Sequence, residues 1–248
     1  MKAIGVIPAR WQSSRFPGKS VAILAGKPMI LRVVERVMLA KRLDAVIVAT
    51  DDERIAAALE NSGACVVMTS LHHQSGTDRV AEAAAQSDAD IIVNIQGDEP
   101  LIDPDLIDNL TDAILADRSW DMATAAAPIP DRNLAGNPNL CKVVFDSNGK
   151  ALYFSRSIIP CVRDSDFESD SILHWRHIGI YAYTSEFLQK FVAAEPSLLE
   201  TAERLEQLRA LHIGGRIKVI QTDDQGIGVD TPGDLIDAER LIRERGLS

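Results

Sequence analysis

The sequence predicts an α/β fold: a three-layer, mostly parallel, Rossmann-like sheet with an antiparallel insertion in its middle third. Two observations carry this. Short β-branched runs alternate with amphipathic stretches over the first hundred residues, which implies parallel strands covered by helices on both faces. From about residue 120, strands follow one another with little helix between them.

The first strand is read at 3–9, followed by others at 45–49, 66–68 and 91–95, each apolar and bounded by polar residues. A helix over 28–39 has Pro28 in its first turn and apolar positions at Ile30, Val33, Val34, Val37 and Met38. Shorter helical patterns cover 54–60 and 78–85. In the middle third, strands are expected at 122–129, 142–146 and 151–154. Asp146-Ser147-Asn148-Gly149-Lys150 joins the last two through an Asn-Gly hairpin signal. A strand at 177–183 and helices at 185–194 and 202–211 follow. The chain closes with a strand at 217–221 and a helix over 232–245, where Thr231 makes an N-cap, Pro232 the first helical position and Asp234 a capping box. No linker or repeat interrupts the pattern, so residues 1–248 are expected to form one domain. The antiparallel subregion, about 120–183, is a candidate dimer interface.

Composition narrows the function. The 248 residues are 46% hydrophobic and 25% charged, an ordinary globular balance. No run approaches the ~18 apolar residues of a membrane span, and the opening residues read as a strand and not as a signal peptide. Cys65, Cys141 and Cys161 are odd in number and far apart, which suits a reducing cytoplasm and no zinc site. A net charge of −10 argues against nucleic-acid binding. The charge is uneven, however. Residues 1–34 hold Lys2, Arg10, Arg15, Lys19, Lys27 and Arg32 and no acid, where about five acids would be expected. A local cationic pocket in an acidic protein suits a small polyanion.

That pocket is expected at 8–19. The connection from the first strand to the first helix is long, and such loops at the carboxyl ends of parallel strands are where open α/β sheets bind ligands. Two guanidinium groups and an ammonium can neutralise a triphosphate, and Gly18 lets the backbone approach phosphate oxygens. The loop is not a P-loop, since Ser13 stands where the first glycine should. It is not a dinucleotide-binding turn either, because Ala9-Arg10-Trp11-Gln12-Ser13-Ser14 contains no glycine.

Ile7-Pro8-Ala9-Arg10, Ser14-Arg15-Phe16-Pro17-Gly18-Lys19 and Gly26-Lys27-Pro28-Met29-Ile30 resemble the signature of the 3-deoxy-manno-octulosonate cytidylyltransferases, the CMP-Kdo synthetases of lipopolysaccharide assembly. The likeness continues in order through His73-Gln74-Ser75-Gly76-Thr77, Asn94-Ile95-Gln96-Gly97-Asp98-Glu99-Pro100 and Ala151-Leu152-Tyr153-Phe154-Ser155-Arg156. It ends with His177-Ile178-Gly179-Ile180-Tyr181, Leu205-Glu206-Gln207-Leu208-Arg209 and Gly228-Val229-Asp230-Thr231-Pro232.

The resemblance implies a nucleotidyltransferase fold with CTP and a Kdo-type sugar acid as substrates; a homodimer through the antiparallel subregion is expected beside it. It places Pro8, Ala9, Arg10, Arg15, Lys19, Gln74, Ser75, Gly76, Gln96 and Gly97 at the nucleotide. Arg10, Lys19, Asp98 and Asp230 become the catalytic group, with Asp98 and Asp230 holding Mg²⁺ against the phosphates. Arg156, His177, Tyr181, Glu206 and Gln207 fall on the sugar side. The residues by themselves leave each of these with a plain alternative: surface charge for the arginines, a turn before a capped helix for Gln74-Ser75-Gly76, strand packing for Tyr181 and an exposed helix position for Glu206. Other functional readings are a cytidylyltransferase for 8-amino-Kdo or a sialic acid, a metal-dependent glycosyltransferase, and a non-catalytic CTP-binding regulator. The glycosyltransferase reading draws on Asp88-Ala89-Asp90, which precedes its strand and so lies at the wrong end.

Overall fold

In the computed structural model, residues 1–13, 15–163, 172–224 and 226–247 are described. The chain forms two compact units, one from Met1–Asp112 with Gly226–Ser248 and one from Ala113–Gln225.

The first unit is built on parallel strands in the order Ile91–Asn94, Ala3–Ala9, Ala45–Thr50, Cys65–Met68. Val6 pairs with Asn94, and Ala9 with Thr50, so three strands end at the same edge. Every residue of Ile91–Asn94 is buried, which explains its unbroken apolar character. Helix Met29–Val37 buries Met29, Ile30, Val33, Val34 and Val37; Pro28 caps it from outside instead of opening its first turn. Gly76–Ala84 begins with Ser75, whose side chain forms a capping box with Asp78. The C-terminal helix Pro232–Glu244 starts at the expected Thr231–Asp234 capping box. It packs Ala238 and Ile242 with Leu24, Met29, Leu101 and Val229.

The second unit holds the mixed strands. Met122–Pro128 pairs antiparallel with Trp175–Thr184 and parallel with Ile217–Gln221. Lys142–Phe145 and Ala151–Ser155 form the expected hairpin, with Asp146 Oδ1 accepting from Asn148 N and Lys150 N at 2.8 and 2.9 Å. The α/β class and the antiparallel middle third are therefore both observed.

Three local differences from the sequence reading stand out. The region read as one helix over 202–211 is two, Leu198–Glu203 and Gln207–His212, because Arg204 adopts left-handed backbone at φ 54°. Helix Pro104–Ala116 is absent from the sequence reading, although Asp103 accepts from Asp105 N at 3.1 Å and Pro104 stands first, a normal start signal. The long loop contains a 3-10 turn at Lys19–Val21 and a small hairpin of Ile23–Leu24 with Lys27–Pro28. No described helix is long and apolar enough to cross a membrane.

Candidate active site

At the shared strand edge of the first unit lies a polar cleft. The main chain draws its walls together. Gly97 lies so close to the end of the first strand that a Cβ there would meet Pro8 O at 2.7 Å, so this position requires glycine. Val229 N donates to Asp98 O at 2.8 Å and brings the turn before the last helix beside the turn after Ile91–Asn94. Gly18, with φ +70°, then turns the loop so that Lys19 points inward.

These constraints converge on one ammonium group. Lys19 Nζ donates to Asp98 Oδ2 at 2.6 Å, to Asp230 Oδ1 at 3.0 Å and to Val229 O at 3.1 Å. Arg15 Nη2 pairs with the other Asp230 oxygen at 2.8 Å. Burial by itself would lower the Lys19 pKa, but the two carboxylates outweigh it and raise it, so Lys19 is charged across the physiological range. Asp230 has the purpose that capping does not supply. Its side chain serves this cluster, while its backbone N–H donates to Asp234.

Pro8, Ala9, Arg10, Ser75, Gly76, Gln96 and Gly97 also line the cleft. Gln74 does not: it is exposed, and its Nε2 donates to His72 O at 3.2 Å. Gln12, Ser13, Ser20, His73 and Arg79 line it without having been singled out. Arg79 is buried and held by Asp51 at 2.6 Å. Nothing in its short helical pattern marks it as different from a surface arginine.

The acid-free window divides in two. Arg10, Arg15 and Lys19 reach the cleft, whereas Lys2 pairs with Asp88 and Lys27 with Glu35. Arg32 is buried and donates to the main-chain carbonyls of Leu24, Ala25 and Leu247. Asp90 accepts from Lys2 N at 2.8 Å, so Asp88-Ala89-Asp90 anchors the start of the sheet, opposite to where its strand ends.

The expected sugar-side residues all lie in the second unit. His177 Nε2 meets Thr124 Oγ1 at 2.9 Å, and its Nδ1 meets Gln207 Nε2 at 3.4 Å. The Thr124 hydroxyl has Ile180 O at 2.8 Å as an acceptor, which leaves the imidazole as donor through Nε2 and acceptor through Nδ1. Burial pushes the His177 pKa down to about 3, so the ring is neutral. Gln207 Oε1 accepts from Tyr181 OH at 3.5 Å. Glu206 stands just before helix Gln207–His212, with an oxygen 3.7 Å from Arg209. Arg156 directs its guanidinium at the carbonyls of Glu203, Pro138 and Arg204, at 2.7, 3.1 and 3.3 Å, so as placed it braces the chain. Burial pushes the nearby Cys141 thiol up to about 12, which removes it as a thiolate nucleophile.

Among the described residues, no group of three or more His, Cys, Asp or Glu is arranged to hold a metal. The Asp98–Asp230 pair still suits Mg²⁺, a hard cation that takes one or two carboxylates and completes its shell with phosphate oxygens and water. Both carboxylates already face a single cationic atom.

The profile of the family described as Cytidylyltransferase matches residues 4–219. A protein of Geotalea daltonii named 3-deoxy-manno-octulosonate cytidylyltransferase is 49% identical over 253 residues, covering 99% of this chain and 100% of its own. One from Bdellovibrio bacteriovorus with the same name is 47% identical over 248 residues, covering all of both chains. A solved structure described as CMP:2-keto-3-deoxy-manno-octonic acid synthetase complexed with CTP superposes with a TM-score of 0.94 at 40% identity, over 99% of this chain and 100% of that one. The 4-diphosphocytidyl-2C-methyl-D-erythritol synthase of Anaerococcus prevotii, with a TM-score of 0.64 at 16% identity over 98% of this chain and 99% of its own, shares the fold alone.

Proposed function

This chain belongs to the cytidylyltransferase family, in the company of 3-deoxy-manno-octulosonate cytidylyltransferases, and from that premise we propose which of its residues perform the reaction. The enzyme transfers CMP from CTP to the anomeric hydroxyl of 3-deoxy-D-manno-octulosonate (Kdo), giving CMP-Kdo and pyrophosphate for lipopolysaccharide synthesis.

The observation that carries the residue assignment is the convergence of Asp98 and Asp230 on the Lys19 ammonium, in a cleft also lined by Arg10 and Arg15. The sugar hydroxyl attacks the α-phosphorus in line, and pyrophosphate leaves. No covalent intermediate is required, so the work is positioning and charge neutralisation. Arg10, Arg15 and Lys19 hold the phosphates and stabilise charge on the departing pyrophosphate. Ser75 and Gly76, at the start of their helix, and Gln96 and Gly97, beside Pro8, border the nucleotide. Asp98 and Asp230 hold Mg²⁺, which when bound lowers the pKa of the attacking hydroxyl and neutralises phosphate oxygens. On the sugar side, Tyr181, Glu206 and Gln207 supply hydrogen-bonding groups, His177 orients Gln207, and Arg156 adds positive charge.

With CTP and Mg²⁺, Kdo should release pyrophosphate fastest in a panel that includes 8-amino-Kdo and a sialic acid. EDTA should stop release and added Mg²⁺ restore it. CTP binding by calorimetry with no pyrophosphate from any of the three sugars would indicate a CTP-binding regulator instead.

The three free cysteines support a reducing, cytoplasmic location. A homodimer through the antiparallel region about 120–183 is supported by Leu152 and Ile158, which are 57% and 47% exposed and would be covered by a second copy. Sedimentation at micromolar concentration should give the mass of two chains; a one-chain mass rejects the dimer.

A further inference from the structure

Arg54 does not line the cleft, yet it is tied to the loop that presents Arg10, Arg15 and Lys19. Its guanidinium carbon lies 3.3 Å from the centroid of the Trp11 ring, a close cation–π stack. Asp52 fixes the plane of that guanidinium. Arg54 Nε and Nη2 donate to Asp52 Oδ1 and Oδ2 at 2.9 and 2.6 Å, a two-point fork. Asp52 is itself anchored, because its Oδ1 also accepts from Arg54 N at 2.9 Å as the N-cap of helix Glu53–Ala57.

Trp11 passes the constraint onward. Its carbonyl accepts from Gly18 N at 3.0 Å, and Gly18 lies so near the indole that a Cβ there would meet Trp11 Cζ2 at 3.0 Å. The next residue is Lys19. A continuous set of contacts therefore runs from the end of strand Ala45–Thr50 to the ammonium in the cleft.

We propose that Arg54 is a positioning residue: held by Asp52, it clamps Trp11 and so sets where the loop presents Lys19 and its neighbouring cations to the triphosphate of CTP. The proposal rests on the CTP reading above. A clamp of this kind reduces the freedom the loop must lose when nucleotide binds. Once nucleotide is bound its phosphates hold the loop cations themselves, so the clamp acts on nucleotide affinity far more than on the chemical step.

Arg54→Ala should raise the KM for CTP about fivefold, the scale of one exposed cation–π contact, with kcat and the KM for the sugar acid nearly unchanged. Arg54→Lys should recover only part of the loss, because an ammonium lacks the planar fork that both stacks and pairs. On a Trp11→Leu background, Arg54→Ala should add little, since the two residues act through one contact. With Trp120→Phe and Trp175→Phe leaving Trp11 as the one tryptophan, Arg54→Ala should increase acrylamide quenching of its fluorescence in the absence of nucleotide. An unchanged KM for CTP, full rescue by lysine, or an undiminished effect on the Trp11→Leu background overturns the clamp. Failure of the CTP reading has a separate signature: the unmodified enzyme releases no pyrophosphate with any sugar acid. The quenching comparison then still decides whether Arg54 holds Trp11.

Discussion

Lys19 and His177 are both partly or fully withdrawn from water, but their surroundings differ in kind. The Lys19 side chain is 14% exposed and faces two carboxylates that are 28% and 41% exposed. His177 meets a hydroxyl and an amide, with Tyr181 and Cys141 as further neighbours of that amide. The first arrangement is built from formal charges that a charged ligand can exchange for its own. A phosphate can take over the ammonium while a divalent cation takes over the carboxylates, because the pairs are only partly shielded and not locked by deep burial. The second arrangement is neutral and already satisfied. It holds its hydrogen-bonding groups in fixed directions. Charged groups and neutral hydrogen-bonding groups are thus gathered in different parts of the chain.

Removing Lys19 should break the charged side of this contrast with the largest effect. Lys19→Ala is expected to cut turnover by more than ~100-fold, the scale of losing one oriented charge donor at the transition state. Folding should persist, because Asp98 and Asp230 keep enough solvent contact to tolerate the loss of their partner. The same variant should bind Mn²⁺ more tightly than the unmodified protein in the absence of nucleotide, since the competing ammonium is gone. Near-normal turnover would remove Lys19 from the catalytic group. Unchanged Mn²⁺ affinity would show that the two carboxylates do not share a cation site.

The same contrast governs what could be read before the structure. Strands of the first unit are legible because runs such as Ile91–Asn94 are apolar throughout and bounded by polar residues. The cationic loop is legible because a missing charge type is a property of composition. Composition does not report where a side chain ends, however. Lys2, Lys27 and Arg32 belong to the same acid-free window but are engaged by Asp88, Glu35 and three carbonyls. Asp98 and Asp230 stand 132 positions apart, and only ordered resemblance to a family pairs them in advance. Arg79 was missed because its distinction is burial and its pairing with Asp51, which arise from packing. His73 lies in a matched motif, but its pairing with Glu82 is equally a product of the fold. The break at Arg204 was missed for a related reason: left-handed backbone there is imposed on a residue that carries no glycine signal. On the neutral side, Tyr181 and Gln207 resemble ordinary strand and helix residues until the fold brings them to His177.

A smaller effect sharpens the neutral side. Burial depresses the His177 pKa from 6.5 to about 3. Between those values the unfolded chain takes up a proton that the native ring refuses, so stability rises with pH across that window. The contribution is complete above the unfolded pKa and is lost as pH falls toward the folded one, at about 1.4 kcal/mol per pH unit. His177→Gln keeps a polar side chain but removes the titration. The substitution should cost stability at pH 7.5, where the neutral ring makes both of its contacts. That cost should shrink as the pH is lowered to 6 and then 5, because only the unmodified protein carries the buried histidine's penalty. Urea unfolding of both proteins at the three pH values measures the difference directly, and the carboxylates common to both cancel. Parallel stability curves would mean that His177 accepts its proton in the native state. The cluster would then be a second charged site, and the contrast with Lys19 would disappear.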